Sequence, residues 1–269
     1  MAYQHNFNSS TSSGSTSFVD PLADEASCTR DIPYLQQLKT NVIRVYAIDA
    51  ASDHSACMDL LDAAGIYVVV DLTTPSIAID QEHPTWTLEL YTAYTSVIDS
   101  LQGYTNVLGF FAGNEVSSNS STTASAAYVK AAVRDMKSYI KTNNYRSIGV
   151  GYASNDDASI LSSLEDYFNC GDPTSSVDFL GLNIYSWCGS SSFAESGYSA
   201  LTSSLSNYSI PVFFSEYGCN AIQPRLFAEV SALYSSQMTD VFSGGIVYEY
   251  FQETNDYGDI KSPIFSPSR

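Results

Sequence analysis

Basic side chains are scarce in this sequence. Its 269 residues contain 11 Lys and Arg against 29 Asp and Glu, so the formal net charge is -18. A chain of this charge repels phosphate backbones and anionic membrane surfaces, and nucleic acid is therefore not expected as a partner. Because only 15% of the residues are charged, the surface must be polar mainly through hydroxyl and amide groups. That chemistry suits a neutral ligand rich in hydroxyl groups.

Metal-binding patterns are also missing. The three histidines, His5, His54 and His83, belong to no Ser/His/Asp or metal pattern, and we interpret them as structural or solvent-exposed. The chain has five cysteines, which form no CxxC pair and no Cys/His cluster at zinc spacing: Cys28, Cys57, Cys170, Cys188 and Cys219. The sequence therefore predicts no metal and no other cofactor. An odd cysteine count leaves one thiol unpaired if the others are oxidised.

Long apolar runs are absent as well. No stretch approaches the roughly 20 apolar residues of a membrane span, and the N-terminus lacks the charged-then-apolar pattern of a signal peptide. We therefore expect no segment of this chain to insert in a membrane. Three glycosylation sequons, which begin at Asn8, Asn119 and Asn207, agree with a secretory route, where oxidised cysteines are usual.

The chain does contain β-branched and aromatic runs at even intervals, separated by stretches with helical spacing. Eight runs are strand candidates: Ala2 to Gln4, Val42 to Ile48, Tyr67 to Leu72, Val107 to Ala112, Ser147 to Tyr152, Phe179 to Tyr185, Val212 to Ser215 and Gly245 to Phe251. Eight βα units in about 250 residues predict an α/β fold, the (β/α)₈ TIM barrel, as a single domain over residues 1–269. A doubly wound sheet is the alternative, but its GxGxxG fingerprint is absent.

Helical spacing between these runs predicts an outer ring. Cys28 to Leu38 places Ile32, Leu35 and Leu38 on one face, and Tyr128 to Ile140 carries a similar apolar face. The first strand candidate is shorter than the usual five or so residues, so part of the first strand is expected to be missing. Ser9 to Ser17 is rich in Ser, Thr and Gly and is predicted to be a loop over the cleft.

Two glutamates stand where buried strands stop. Glu115 follows the fourth candidate in Gly113-Asn114-Glu115-Val116, and Glu216 closes the seventh in Ser215-Glu216-Tyr217-Gly218. In a parallel barrel these ends form the wall of the active site, and two convergent carboxyl groups are what a retaining glycosidase needs. For a single strand-end acid, a loop glutamate in a salt bridge is the equally good alternative.

Arg44 and Tyr46 lie two residues apart in the second candidate and therefore share a face. An arginine inside a barrel needs an anion, which a nucleophilic carboxylate would supply, although a structural salt bridge explains it equally well. We also expect Tyr248 to donate a hydrogen bond to that carboxylate. Packing in the core is the alternative for this tyrosine.

On these residues the chain resembles the catalytic domain of fungal β-1,3-glucanosyltransferases, glycoside hydrolase family 72. Seven phrases carry the resemblance, in order along nearly the whole chain: Asp20 to Asp24, Arg44 to Asp49, Ala64 to Tyr67, Ala112 to Val116, Leu182 to Cys188, Ser215 to Asn220 and Phe242 to Phe251. Enzymes of this family cleave an internal β-1,3-glucan bond and transfer the new reducing end to another glucan, which elongates the wall polymer.

The resemblance implies that Glu115 is the acid/base and Glu216 the nucleophile. It further implies a cleft lined by six residues: Gln4, Tyr46, Asp71, Asn114, Tyr185 and Tyr248. Of two carboxyl groups about 5 Å apart, the less solvated one keeps its proton, and we assign that role to Glu115. Glu216 is then expected to be held ionised by Arg44 and Tyr248.

The resemblance also implies two disulfides, Cys28 with Cys57 and Cys188 with Cys219, and a distant partner for Cys170. Because the chain stops at Arg269, soon after the eighth strand candidate, we expect it to lack the last barrel helix, the family's Cys-rich module and its GPI-anchor signal. The implied glycoprotein is an extracellular, cell-surface or cell-wall monomer acting on β-1,3-glucan chains. An endo-β-1,3-glucanase, a barrel hydrolase of a β-1,4-linked polymer and a catalytically silent glucan-binding protein are the alternatives.

Overall fold

A ring of parallel β-strands forms the centre of the protein, in a computed structural model that describes residues 1–5 and 18–259. Seven strands lie side by side in chain order, each parallel to the next: β1 (Val42–Val45), β2 (Tyr67–Asp71), β3 (Val107–Asn114), β4 (Gly149–Ser154), β5 (Leu180–Ile184), β6 (Val212–Tyr217) and β7 (Phe242–Val247). The loop predicted at Ser9 to Ser17, the sequon at Asn8 and the C-terminal residues 260–269 lie outside the described residues.

The first strand candidate closes this ring. Ala2 bridges Arg44 of β1 in parallel fashion, and the N–H of Tyr3 donates to the Arg44 carbonyl at 2.8 Å. On the other side, the N–H of Ala2 donates to the carbonyl of Val247 in β7 at 2.9 Å. Residues 1–3 therefore act as an eighth, very short strand between β7 and β1. The predicted (β/α)₈ barrel is confirmed. Because the short first strand is not counted, Glu115 directly follows β3 and Glu216 lies in β6.

Helices surround the ring in the order expected of βα units: α1 (Glu25–Gln37), α2 (Ser55–Ala63), α3 (Leu88–Leu101), α4 (Ser125–Thr142), α5 (Leu161–Asn169), α6 (Tyr198–Ser204) and α7 (Glu229–Leu233). Asp24 caps α1, since its side chain accepts a hydrogen bond from the Ser27 N–H. The predicted face of α4 is buried, including Val129, Val133 and Met136. The main apolar core lies between these helices and the strands.

The structure differs from the sequence prediction in the extent of some elements. Leu38 lies beyond the end of α1 and is 54% exposed, because the helix stops before its third apolar position. The last strand begins at Phe242 instead of Gly245 and ends at Val247, although the N–H of Tyr248 still donates to the Tyr217 carbonyl of β6 at 2.8 Å. Within the described residues no helix follows β7.

Two disulfides connect neighbouring units, and they are the pairs that the resemblance implies. Cys28 in α1 bonds to Cys57 in α2, and Cys188 after β5 bonds to Cys219 after β6. Cys170 is an exposed free thiol. In the described part of the chain, no helix combines the length and apolar character needed to cross a bilayer.

The interior of the barrel is filled by aromatic rings at the end opposite the cleft. Phe179 packs against Phe111 and Phe213, with ring centroids 5.2 and 5.9 Å apart. Two glycines of neighbouring strands make room for this ring, because a Cβ atom at Gly109 or Gly151 would overlap Phe179. The two glycines thus make space for this aromatic cluster, which we call the Phe179 plug, in the barrel interior.

We expect Gly151→Ala to destabilise the protein by about 1–3 kcal/mol, the usual effect of overpacking a filled interior. Urea unfolding followed by circular dichroism measures this free energy. Gly103→Ala is the matched control, because a Cβ there meets no atom within 4 Å. Equal stability of the two variants would show that the Phe179 plug is not tightly packed.

Candidate active site

A cleft of about 540 Å³ opens at the C-terminal end of the barrel strands. Eleven residues line it: Gln4, His5, Tyr46, Asn114, Glu115, Tyr185, Glu216, Tyr248, Glu249, Asn255 and Tyr257. Most of them lie at the end of a strand or within two residues of it, so the parallel ladder brings distant parts of the sequence to one wall. The structure thus gathers both predicted glutamates and five of the six predicted cleft residues in one place.

Glu216 lies inside β6 and is only 8% exposed. One of its oxygens, Oε1, accepts hydrogen bonds from the Tyr46 hydroxyl at 2.9 Å and from Arg44 Nη1 at 3.2 Å. The other oxygen, Oε2, accepts from the Tyr185 hydroxyl at 2.7 Å. All three partners donate, and such bonds favour the ionised carboxylate.

Arg44 is completely buried beneath this glutamate. Its guanidinium donates to both oxygens of Asp71, at 2.9 and 2.8 Å, and to Asn114 Oδ1 at 2.9 Å. It also lies 4.3 Å from the centroid of the Tyr46 ring and 4.5 Å from that of Phe111. Arg44 and Tyr46 therefore share a face, as their spacing predicts.

Asp71 does not occupy its expected place in the lining of the cleft. It is 1% exposed at the end of β2, with both carboxylate oxygens bound to Arg44. Arg44 thus satisfies both interpretations left open by the sequence, since it forms a structural ion pair with Asp71 and also contacts Glu216. The reason is geometric, because the guanidinium fork has enough donors to serve two carboxylates.

Glu115 directly follows β3 and has a backbone φ of +50°, in the left-handed region that is uncommon for a non-glycine residue. Its side chain is half-buried and accepts a hydrogen bond from Asn183 Nδ2 at 2.9 Å. The same Nδ2 donates to Asn114 Oδ1 at 3.0 Å. Since Asn114 Oδ1 thus accepts from both Arg44 and Asn183, the Asn114 NH₂ group is left to donate into the cleft.

The relative solvation of the two carboxyl groups is the reverse of the expectation. Glu216 is the more buried, because it lies within its strand, whereas Glu115 lies beyond the end of its own. Burial raises the pKa of Glu216 above its ordinary value, while Arg44 and the Tyr185 hydroxyl act to lower that pKa. Solvation therefore cannot assign the acid role to Glu115. The two groups also differ in their donors, since a cation and two hydroxyls donate to Glu216 and a single amide donates to Glu115.

Tyr248 does not make the contact with Glu216 that the sequence analysis predicted. The hydroxyl groups that donate to Glu216 belong to Tyr46 and Tyr185 and not to Tyr248. The Tyr248 ring nevertheless contacts both of those tyrosines, with centroids 6.2 and 6.4 Å apart. The residue therefore packs beside the tyrosines that hold Glu216 and does not donate to the carboxylate itself.

Gln4 lines the cleft but uses its amide to hold the backbone. Its Oε1 accepts from the N–H groups of Tyr46 and Ala47 at 3.2 and 3.0 Å, and its Nε2 donates to the Val19 carbonyl at 2.7 Å. Gln4 is therefore a positioning residue for the end of β1.

Several site residues were not singled out by the sequence reasoning. His5 lines the cleft, stacked on Phe251 with ring centroids 3.7 Å apart and paired with Glu253. Asn255 and Tyr257 come from the segment after β7, which has no periodic signal. Asn183, like Asn114, comes at the end of an apolar run. Of the missed residues, it is the one that the sequence could have revealed, because it lies in the phrase Leu182 to Cys188 that carries the family resemblance.

The arrangement suits chemistry with two carboxyl groups. In the described residues, no group of three or more His, Cys, Asp or Glu side chains is placed to hold a metal ion. One buried, donor-bound carboxylate and one accessible carboxyl face the same cleft, and a ring of tyrosines surrounds them. A nucleophile with a separate proton donor requires this division.

Comparison with known proteins identifies relatives of this chain. The model of glycoside hydrolase family 72, described as glucanosyltransferase, matches residues 1–263. A 1,3-beta-glucanosyltransferase of Arthroderma benhamiae is 60% identical over 262 residues, which are 97% of this chain and 48% of that protein. The pH-responsive protein 1 of Candida albicans is 54% identical over 263 residues, 96% of this chain and 48% of that protein. The chain spans about half the length of these curated relatives.

Solved structures of Saccharomyces cerevisiae Gas2p are similar throughout the described barrel. An apostructure of a Gas2p mutant matches with a TM-score of 0.92 and 48% identity, over 96% of this chain and 54% of that one. A Gas2p complex with laminaritriose and laminaritetraose matches with a TM-score of 0.89 and 48% identity, over 96% of this chain and 57% of that one.

Removal of the buried guanidinium tests whether Arg44 stabilises the buried carboxyl groups of Asp71 and Glu216. We expect Arg44→Met to destabilise the protein by about 3–5 kcal/mol, because Asp71 and Glu216 would remain buried without their cation. The deficit should be largest at neutral pH and shrink on acidification, since a protonated carboxyl group carries no charge to bury. Urea unfolding at several pH values measures it. A deficit independent of pH would contradict the ion-pair explanation.

Proposed function

The chain belongs to the glucanosyltransferases of glycoside hydrolase family 72, and on that premise we propose that it is a retaining β-1,3-glucanosyltransferase. The observation that carries the proposal is the pair Glu115 and Glu216 on one cleft, with three donors on Glu216 and an accessible position for Glu115. The name of the Arthroderma benhamiae relative and the laminari-oligosaccharides in the Gas2p structure support a β-1,3-glucan substrate.

In the first step, Glu216 attacks the anomeric carbon of the donor glucan while Glu115 protonates the departing glycosidic oxygen. The carboxylate of Glu216 suits this role, because its bonds to Arg44, Tyr46 and Tyr185 fix its orientation. The product is a glycosyl-enzyme ester and a free glucan fragment with a new non-reducing end.

In the second step, Glu115 removes the proton from a hydroxyl group of an acceptor glucan, and the acceptor oxygen displaces Glu216. This restores both carboxyl groups and retains the β configuration. The Asn114 NH₂ group is placed to bind the sugar next to the reacting carbon, where such contacts strengthen in the transition state. Transfer instead of hydrolysis requires that the acceptor sugar exclude water from the intermediate.

We also propose that the protein acts outside the cell as a monomer. The two disulfides support an oxidising compartment. Asn119 and Asn207 are exposed and therefore accessible to glycosylation. Attachment to the cell wall through a GPI anchor is part of the same proposal and rests on the family alone.

Incubation with a reduced β-1,3-glucan oligosaccharide tests the activity. We expect products longer than the donor, detected by mass spectrometry. Glu216→Gln should abolish them because the nucleophile is lost, and Glu115→Gln should slow them by about 10²–10⁴-fold, the usual contribution of general acid–base catalysis. Asp59→Asn, a change on α2 away from the cleft, is the control.

The outcomes separate the alternatives. Only shorter products would favour an endo-β-1,3-glucanase, and products from a β-1,4-linked polymer would favour the other hydrolase. Binding without turnover, unchanged by Glu216→Gln, would favour a silent glucan-binding protein. Inversion of the anomeric configuration in the first products, observed by NMR, would contradict the two-step mechanism.

Tyr185→Phe should move the acid limb of the pH–activity profile to higher pH. Glu216 must be ionised to attack, and the Tyr185 hydroxyl lowers the pKa of Glu216, so its removal raises that pKa and more activity is lost on the acidic side. The measurement is the initial rate of transfer from pH 3 to pH 8.

Tyr208→Phe serves as the matched control, since this tyrosine also donates a hydrogen bond, to the Glu165 carbonyl at 2.7 Å, but lies outside the cleft. An unchanged acid limb in Tyr185→Phe would show that Glu216 is not the group that titrates there.

A further inference from the structure

One wall of the cleft comes from residues 248–259, which follow β7 and which we call the wall segment. Four residues of the cleft lining belong to it: Tyr248, Glu249, Asn255 and Tyr257. The segment contains no helix and no strand of the ring. Regular secondary structure therefore does not fix these side chains, and their positions depend on contacts with other parts of the chain.

The wall segment is joined to the barrel at its start and closes on itself further on. The N–H groups of Tyr248 and Tyr250 donate to carbonyls of β6 and of the short first strand. The N–H of Glu249 donates to the Tyr257 carbonyl at 3.1 Å, and the N–H of Asp259 donates to the Glu249 carbonyl at 3.0 Å. These bonds give the segment the shape of a loop without attaching its second half to the barrel.

Two side chains add one contact each to the second half. Asn220 Nδ2 donates to the Asn255 carbonyl at 2.9 Å, and His5 pairs with Glu253 at 3.2 Å. Both contacts involve a single polar atom on each side. The larger part of the attachment comes from another residue.

Arg225 binds the wall segment at both of its ends. The residue lies in the loop between β6 and α7, and its side chain is only 7% exposed. Its Nη2 donates to the carbonyls of Tyr248 at 2.7 Å and Gly218 at 3.1 Å. Its Nη1 donates to the Tyr257 carbonyl and to Asp259 Oδ1, the latter at 3.4 Å. One planar group thus connects the start of the segment, its end and the loop after β6.

The loop after β6 is itself well anchored. A Cβ atom at Gly218 would overlap Arg225 Nη2, so the glycine allows the guanidinium to reach the backbone. The next residue, Cys219, is bonded to Cys188 in the loop after β5. The guanidinium also lies 4.5 Å from the centroid of the Phe227 ring. Arg225 therefore attaches the wall segment to a loop that a disulfide already holds.

Arg225 does not line the cleft, but the groups that it fixes do. The Tyr257 ring contacts those of Tyr185 and Tyr248, with centroids 5.6 and 5.3 Å apart. Aromatic faces with a few placed polar groups are the usual lining of a ligand site. The position of the wall segment thus determines the aromatic surface that a ligand meets.

We propose that Arg225 is a positioning residue that holds the wall segment where Tyr248, Asn255 and Tyr257 bind the glucan. The proposal rests on the proposed function, since the ligand is the glucan. Glu216 has its own donors in Arg44 and two tyrosines. Loss of the Arg225 guanidinium should therefore weaken binding far more than the chemical step.

Transfer kinetics test this division. Arg225→Met removes the donors and keeps an apolar side chain of similar length. We expect KM for a reduced β-1,3-glucan oligosaccharide to rise about tenfold, the effect of losing a buried hydrogen bond from a charged donor, while kcat changes little. Arg225→Lys should give an intermediate KM, because an ammonium group cannot serve several carbonyls as a planar fork does.

Arg146→Met is the matched control. Arg146 also donates to two carbonyls through Nη2, those of Tyr104 and Val107, but it lies before β4, at the end of the barrel opposite the cleft. We expect its loss to lower stability without changing KM. An unchanged KM in Arg225→Met, or an equal rise in Arg146→Met, overturns the proposal.

Hydrogen exchange tests the contact without a ligand. Peptides that cover residues 248–259 should exchange faster in Arg225→Met than in the wild type, because the bonds within the segment open more often. Arg146→Met should leave these peptides unchanged. Equal protection of the segment in Arg225→Met and the wild type overturns the proposal. Thermal unfolding shows which variants are folded, and Arg225→Lys takes the place of Arg225→Met if the latter is not.

A double-mutant cycle shows whether Arg225 acts through the wall segment. In a Tyr257→Ala background, Arg225→Met should raise KM by a clearly smaller factor than in the wild type, because one of the groups that it positions is gone. Two effects on KM that simply multiply would overturn the proposal.

Binding distinguishes failure of this inference from failure of the proposed function. In a Glu115→Gln background, calorimetry with a β-1,3-glucan hexasaccharide should show a lower affinity when Arg225→Met is added. If the wild type forms no elongated products but Arg225→Met still weakens binding, the transferase alone is rejected. Equal affinity with and without Arg225→Met rejects the role of Arg225.

Discussion

The site depends on one buried cation. Arg44 has no exposed surface and stands where the polar part of the barrel interior meets its aromatic plug, with the Phe111 ring against one face and Tyr46 against the other. Its fork binds Asp71 on both oxygens, Asn114 and Glu216. A single planar group with several fixed donors thus sets the relative positions of three strands. The buried carboxylates can remain charged only because this cation lies between them.

The two catalytic candidates acquire different characters from small differences in position. Glu216 lies within its strand and is surrounded by donors, whereas Glu115 lies one residue past its strand, with φ in the left-handed region. Burial and hydrogen bonding act in opposite directions on Glu216, and its basicity is the balance of the two. A carboxylate that is buried yet oriented is a stronger nucleophile than a solvated one. The accessible partner is free to exchange protons with leaving group and acceptor.

The tyrosines extend this organisation across the cleft. Tyr46 and Tyr185 donate to Glu216, and the Tyr248 ring packs against both of them. The wall beyond β7 is fixed by Arg225, whose guanidinium donates to the carbonyls of Gly218, Tyr248 and Tyr257. Aromatic rings thus line the cleft around the buried Glu216 carboxylate. Electrostatic effects in such a site are stronger than in solvent.

The sequence alone determined the barrel, the placement of Glu115 and Glu216 at strand ends and the shared face of Arg44 and Tyr46. The spacing of apolar residues and the order of the strands can be read along the chain, and in a parallel ring they fix which residues lie at the same end. It could not determine that Glu216 is the more buried carboxyl, that Asp71 lies behind Arg44, or that Tyr46 and Tyr185, and not Tyr248, donate to Glu216. These features depend on where each side chain lies relative to the strand ends and on which hydrogen-bond donors of other segments reach it. Hydrogen-bond partners and desolvation arise between segments far apart in the chain, so only the tertiary structure decides them.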